Sequence, residues 1–336
     1  MTQTLWTGLA ITLAAGATAG NCMVPMKFAR RWAWENTWLI FSLVSLLALP
    51  WALAFWTVND LLGVYGSLGA EQFVVPVLFG AGWGIAQVLF GLSIARLGLA
   101  LAYNIIIGLG ALLGSLVPLV LQNREVIGTG RGNLILGGMA VMIVGIAISG
   151  RAGRVRELAA GQAQAGRSGT YTVALLLAIL CGVMAPMLNY SFAFGQDIAK
   201  AAAQMGTSPV RSGYAVWPIA LAGGLVPNLL YSLYLLRRNR TWNRFDTWIP
   251  DVSFAGLMGV MWMTAMALYS AGSVYLGALG TSLGWALFQI FMIMTANVSG
   301  VLTGEWKAAP REARRGLWGS LALLALATGM IALGNS

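Results

Sequence analysis

Apolar runs of about 20 residues, the length that crosses the hydrocarbon core of a bilayer, recur along this chain with short polar breaks between them. They lie near 5–24, 36–57, 73–95, 98–121, 133–150, 170–192, 212–236, 252–271, 276–303 and 315–334. The pattern predicts an all-α integral membrane protein with ten transmembrane helices. The third and fourth runs almost merge, and Arg96, Leu97 and Gly98 mark the tight turn between them.

Composition sharpens this reading. Of 336 residues, 58% are hydrophobic and 9% are charged, which excludes an ordinary soluble domain. The opening MTQTLWTGLA has no Lys or Arg ahead of its apolar run, so the first run reads as a retained helix and not as a signal peptide. Cys22 and Cys181 both fall in apolar runs and read as small packing residues.

The net charge of +10 takes its meaning from its distribution. Lys27, Arg30 and Arg31 follow the first run, Arg96 the third, and Arg151, Arg154, Arg156 and Arg167 the fifth. Arg237, Arg238, Arg240 and Arg244 follow the seventh, and Lys307, Arg311, Arg314 and Arg315 the ninth. The other connections hold only Arg124, Arg131, Lys200 and Arg211. Sixteen basic residues against four place the first set of connections in the cytoplasm. The chain is then a multi-pass membrane protein with both termini on the non-cytoplasmic side. The basic charge is a topogenic signal, and no nucleic acid is expected as a partner.

Ten runs divide into two sets of five, and an odd number per half makes the halves face opposite ways. Met23–Met26 reads MVPM at the end of the first run, and Met184–Met187 reads MAPM in the sixth. A shift of 179 residues lays Gly80 on Gly259, Trp83 on Trp262, and Leu97-Gly98 on Leu276-Gly277. These matches predict two inverted five-helix repeats, residues 1–155 and 156–336, the plan of many secondary transporters.

Transporter sites of this plan lie near the midplane, between the repeats. The third run carries Gly80, Gly82, Trp83, Gly84 and Gln87 at its centre. The glycines suit close helix approach, while Trp83 and Gln87 offer a flat apolar face and an amide. Further candidates at span depth are Asn21, Tyr103, Asn104, Asn189, Tyr190, Tyr214, Trp217, Trp262, Thr281, Trp285 and Gln289, with Asn228 and Asn297 as additional amides. Taken one at a time, such residues serve interhelical hydrogen bonding or interface anchoring. As a set they outline a polar cavity with aromatic walls and no embedded charge, which suits a neutral, hydroxyl-rich solute. GLGALLG (Gly108–Gly114) lies inside an apolar run and GTGRG (Gly128–Gly132) follows no strand, so neither reads as a phosphate loop. The chain has no His and no acid–nucleophile pair at membrane depth, so neither an enzyme nor a cofactor or metal site is expected.

Several stretches resemble the bacterial L-rhamnose–proton symporters, a branch of the drug/metabolite transporter superfamily. They are KFARRWAWENTW after the first run, FGAGWGIAQVLFGLSIARLG in the third, RAGRVREL after the fifth and LTGEWKAAPRE after the ninth. The resemblance runs in order along nearly the whole chain. It implies two inverted halves, alternating access, and proton-driven uptake of a 6-deoxy sugar. The chain departs from the family pattern at ALGTSLGW, where Thr281 and Ser282 stand in place of an aspartate shortly before Trp285. Ala265 stands where an amide is expected after Trp262.

A proton symporter needs a group that binds and releases protons. None of the ten acids falls at mid-span; Glu35, beside Trp34, and Glu305, beside Trp306, come closest, both at cytoplasmic mouths. Both are candidates for coupling, the alternative for each being a plain salt bridge with Lys27, Arg31 or Lys307. The residues also leave open a facilitator or exporter of another small polar metabolite, and a non-transporting membrane sensor. The expected partners are the sugar, protons and the lipid bilayer, with the chain a monomer or a homodimer.

Overall fold

The computed structural model describes residues 3–97, 99–161, 168–247 and 249–335. Its described residues form helices and connections without a strand. Ten helical stretches are long and apolar enough to span a membrane: α1 Gln3–Phe28, α2 Trp34–Thr57, α3 Glu71–Ile94, α4 Leu101–Gln122, α5 Gly130–Ala159, α6 Tyr171–Gln204, α7 Pro209–Asn239, α8 Asp251–Tyr275, α9 Gly277–Leu302 and α10 Arg311–Gly334. Each corresponds to one predicted run. The helix of α3 ends at Leu97 and that of α4 begins at Leu99, and Gly98 of the predicted turn lies outside the described residues. Large apolar side chains such as Leu78, Leu176, Leu230 and Leu326 are exposed on the outside of the bundle, the surface that lipid would cover.

Two elements run further than hydropathy predicts. α5 continues to Ala159, well past 150, because Arg151, Arg154 and Arg156 are good helix formers and end the apolar run without ending the helix. α6 continues to Gln204 as three consecutive helices, Ser168–Met184, Met187–Phe194 and Gln196–Gln204. Pro186 causes the first of these breaks, since it lacks the N–H that a continuous helix needs. The matching MVPM of α1 does the same: the α-helix ends at Asn21 and a 3-10 turn, Val24–Phe28, begins around Pro25. Within α2 a π-helical stretch, Leu43–Ala48, precedes Pro50, the local widening that commonly absorbs such a backbone irregularity.

The packing brings sequence-distant helices together. α1 lies against α8 and α9, and α6 lies against α3 and α4. α3 lies along α7, α8 against α2, and α5 along α10. The α3–α7 crossing explains the glycines of the third run. A Cβ on Gly84 would lie 2.6 Å from the carbonyl oxygen of Gly224, and one on Gly80 would collide with the Ala220 carbonyl. The two backbones touch there, as small residues permit in membrane helices. On the other side of the bundle, a Cβ on Gly16 of α1 would sit 2.8 Å from the Phe288 carbonyl of α9.

Candidate functional site

A cavity of about 830 Å³ lies between the helices and reaches the surface at the end of the bundle where the basic connections gather. Its floor is aromatic. Trp83 of α3 and Trp262 of α8 stack on one another, ring centroids 5.4 Å apart at 24°. Both are held in place: Gly224 lies under the Trp83 ring, and Phe41 meets Trp262 edge-on at 6.4 Å. Trp285 of α9 forms the next wall, its indole N–H donating to the Gly110 carbonyl at 3.1 Å. Phe288 packs beside it at 5.5 Å.

Amides and a phenol line the same space. Gln87, Tyr103, Asn104 and Gln289 all border the cavity, as does Asn297, which donates to Ser149 at 3.2 Å. Gln289 is 5% exposed, and neither it nor Gln87 has a hydrogen-bond partner among the described residues. Amides at a cavity wall left without protein partners, Gln289 buried and Gln87 half-buried, are suited to a ligand's hydroxyls.

The mouth is charged. Arg156, Glu157 and Glu305 border it together with Trp306. Glu305 accepts from Lys27, and from Arg156 at 3.4 Å, while the Arg156 guanidinium lies 4.8 Å from the Trp306 ring centre. The Lys27 hydrogen bond, more than the opposing effect of partial burial, holds the Glu305 carboxyl below the usual glutamate value; the charges of Lys27 and Arg156 add to it.

The opposite end is closed by a neutral network. The Tyr269 hydroxyl donates to the Asn189 side-chain oxygen. The Asn189 amide donates to the carbonyls of Gly114 at 2.8 Å and Thr281 at 2.9 Å. The Thr281 hydroxyl meets Gln122 at 3.2 Å, Gln122 donates to the Ala193 carbonyl at 3.1 Å, and Tyr190 donates to the Leu113 carbonyl at 2.7 Å. This plug ties α4, α6, α8 and α9 together, with Asn189 and Tyr269 fully buried.

The residues singled out from sequence therefore divide by place. Trp83, Gln87, Tyr103, Asn104, Trp262, Trp285, Gln289 and Glu305 come together around the cavity. Asn189, Tyr190 and Thr281 belong to the plug. Trp217 stacks on Phe192 at 5.0 Å, fully buried, and Tyr214 packs at the edge of the same apolar core. Asn21 donates within its own helix, to the Ala17 carbonyl at 2.8 Å. Glu35 is buried away from the cavity, accepting from Thr241 at 2.7 Å and Asn239 at 3.0 Å, and so fastens the start of α2 to the connection after α7. Sequence reasoning did not place Arg156, Glu157, Gln122 or Tyr269 at the site. Among the described residues no group of three His, Cys, Asp or Glu side chains could hold a metal ion.

The sequence pattern of the L-rhamnose-proton symport protein (RhaT) family matches residues 1–336. The chain is 27% identical over 329 residues to an L-rhamnose-proton symporter of Mannheimia succiniciproducens, covering 95% of each chain. It is 28% identical over 344 aligned positions to L-rhamnose-proton symporters of Yersinia pestis (strain Pestoides F) and Yersinia pseudotuberculosis serotype O:1b, covering 99% of each. A match over the full length, joined to ten membrane helices around one aromatic cavity, places this chain in the L-rhamnose-proton symport protein family.

Proposed function

We propose that this chain carries L-rhamnose, or a closely related 6-deoxy sugar, into the bacterial cell across the inner membrane, driven by protons. The observation that carries this reading is the neutral, aromatic-floored cavity with free amides at Gln87 and Gln289. The apolar face of a deoxypyranose would lie against the Trp83–Trp262 pair, and its hydroxyls would meet Gln87, Tyr103, Asn104 and Gln289. The relatives' names point to the same substrate and the same coupling ion.

Alternating access follows from the two ends of the cavity. The sugar enters from the periplasm when the Asn189–Tyr269–Thr281 plug parts, and it leaves through the basic mouth once the plug has re-formed. Residues 1–155 and 156–336 act as inverted halves, with both termini periplasmic. In support, α1 meets α8 and α9 as α6 meets α3 and α4, both first helices break at their MxPM sequence, and the repeat-related Trp83 and Trp262 face each other. Positive residues crowd the open side, which supports a cytoplasmic mouth.

Glu305 carries the proton in this scheme. With the mouth open, Lys27 and Arg156 favour its charged form, so a proton on Glu305 is released to the cytoplasm. When the mouth closes and these partners separate, the carboxyl loses their support and takes up a proton again. Uptake of labelled L-rhamnose and other deoxysugars into proteoliposomes, with and without an inward proton gradient, tests the whole reading. Accumulation above equilibrium is expected only with the gradient. Equilibration without accumulation would replace the symporter by a facilitator, and uptake of no sugar would end the proposal.

A further inference from the structure

One face of α7 runs from the floor of the cavity to its mouth. Gly224, Asn228, Tyr231 and Leu235 recur at helical spacing along it. Gly224 lies beneath Trp83 at the floor. One turn on, the buried Asn228 accepts from the Trp38 indole N–H at 2.8 Å and donates to the Gly224 carbonyl, also at 2.8 Å. Trp38 stacks on Trp34, one turn earlier in α2, at 4.9 Å and 16°. Tyr231 meets Trp34 edge-on at 6.2 Å. Trp34, Trp38 and Tyr231 all border the cavity, on the way out from the Trp83–Trp262 pair.

These rings are placed unlike a lipid-interface belt, whose aromatics stand singly at the headgroup level. They are locked to one another and to α7, and they face the aqueous mouth. Trp34 is 37% exposed there, and its indole N–H has no partner among the described residues. A flat apolar face with a free donor at its edge is what a pyranose requires: the ring C–H groups pack on the indole and a hydroxyl accepts from it. The carboxylates and guanidinium of Glu157, Glu305 and Arg156 border the same mouth and supply further hydroxyl partners.

We infer that Trp34, Trp38 and Tyr231 form a second sugar-contacting subsite, an exit platform that holds a pyranose between the central tryptophan pair and the cytoplasm. The inference rests on the transport reading above. Its consequence is one-sided. A sugar approaching from the basic side meets the platform first, whereas one approaching from the other side reaches the floor without touching it.

The test uses the full chain in vesicles of both orientations, with L-rhamnose as the probe. Trp34→Ala is expected to raise the half-saturating L-rhamnose concentration about fivefold from the basic side, and to leave it within about twofold from the other. Trp34→Phe, which keeps a ring but loses the donor, should restore only part of the difference, and Tyr231→Ala should show the same asymmetry more weakly. Equal changes from the two sides, or a reduced amount of inserted protein with unchanged half-saturation, would assign these rings to packing or anchoring and overturn the inference. Wild-type vesicles that take up no L-rhamnose would remove the transport reading and this subsite with it. Wild-type uptake with a symmetric Trp34→Ala defect would remove the subsite alone.

Discussion

The two ends of the cavity are built from different chemistry. At the basic end, Lys27, Arg156 and Glu305 meet in water-accessible ion pairs, with the Glu305 side chain 37% exposed. At the other end, Tyr269, Asn189, Thr281 and Gln122 form a chain of neutral hydrogen bonds whose central members are fully buried. Charges at membrane depth are costly, and they resist being moved between wet and dry surroundings. Neutral donors and acceptors seal a passage by saturating one another, and they part at the cost of a few hydrogen bonds. The charged end is therefore suited to sense protons and the neutral end to exclude them.

The largest effect should come from neutralising the charged end. Glu305→Gln keeps the shape of the side chain and removes its titration, while each pKa unit of coupling is worth about 1.4 kcal/mol. Under an inward proton gradient the variant should bring internal and external L-rhamnose to the same concentration and no further. Exchange between equal pools should continue at the wild-type rate. A variant that still concentrates the sugar would exclude Glu305 as the proton carrier and turn attention to Glu157, the other carboxylate at the mouth.

Next in size is a break in the neutral end. Asn189→Leu keeps the branched shape of the side chain but leaves the Gly114 and Thr281 carbonyls and the Tyr269 hydroxyl without their partner. The expected loss is about 2 kcal/mol of stability, read from thermal unfolding in detergent. The seal should also leak. In a background with Cys22 and Cys181 replaced by Ala, a cysteine at Leu188, which borders the cavity, should react with an impermeant thiol reagent added from the less basic side. Unchanged stability together with unchanged labelling would deny the plug its role. Tyr269→Phe, which removes a single donor, should show a smaller version of both effects.

The two ends also differ in how far they could be read from sequence. Apolar length located every span, because a bilayer imposes one length on all of them. It misjudged the ends of α5 and α6, where helices continue as charged or broken segments that hydropathy reads as connection. Depth along a span singled out Trp83, Gln87 and Trp262 together with Asn189 and Tyr190, since all are polar or aromatic residues inside apolar runs. Depth does not report which face of a helix a residue occupies or which end of a cavity it serves. Asn189 and Gln289 are alike on that scale, yet one saturates the plug and the other faces the cavity unpaired. Trp217 and Trp262 are equally alike on that scale, yet Trp217 stacks on Phe192 in the apolar core and Trp262 faces the cavity. Arg156 looks like topogenic charge in sequence and Glu157 like a polar residue of the same connection, and only the helical continuation of α5 brings them to the mouth. The pairing of α7 with α2 gave no local signal at all, although the i, i+4 spacing of Trp34 and Trp38 did mark a shared helix face.

Between the two ends, the tryptophan floor should report on substrate with an intermediate effect. Trp83→Ala and Trp262→Ala each remove one ring of the stacked pair. Each should weaken L-rhamnose binding about tenfold, or about 1.4 kcal/mol, while the yield of folded protein falls by less. Substrate should also change the tryptophan fluorescence of the wild type and change it less in either variant. Binding and folded yield falling in step would make the pair a packing contact.

The smallest effect on stability, and the most specific one on coupling, belongs to Lys27. Its ion pair with Glu305 is solvent-exposed, with Lys27 57% accessible, so Lys27→Gln should cost less than about 1 kcal/mol. Its effect on titration has a definite sign. The carboxyl of Glu305 lies below its ordinary value, with the Lys27 hydrogen bond as the leading cause. The ion pair therefore contributes fully above the ordinary glutamate value, and it is lost as the pH falls through the lowered one. Without Lys27 the carboxyl moves back toward its ordinary value, so a proton is held at a higher pH on the basic side than before. The pH at which sugar efflux from the basic side is half-maximal should thus shift upward in Lys27→Gln. Lys27→Arg should keep it near the wild-type position. Raised salt, which screens exposed charges, should move the wild type part of the way toward Lys27→Gln. A midpoint that stays put in Lys27→Gln would reduce this pair to a surface contact and leave Arg156, the less exposed of the two cations, as the one that sets the proton affinity of the mouth.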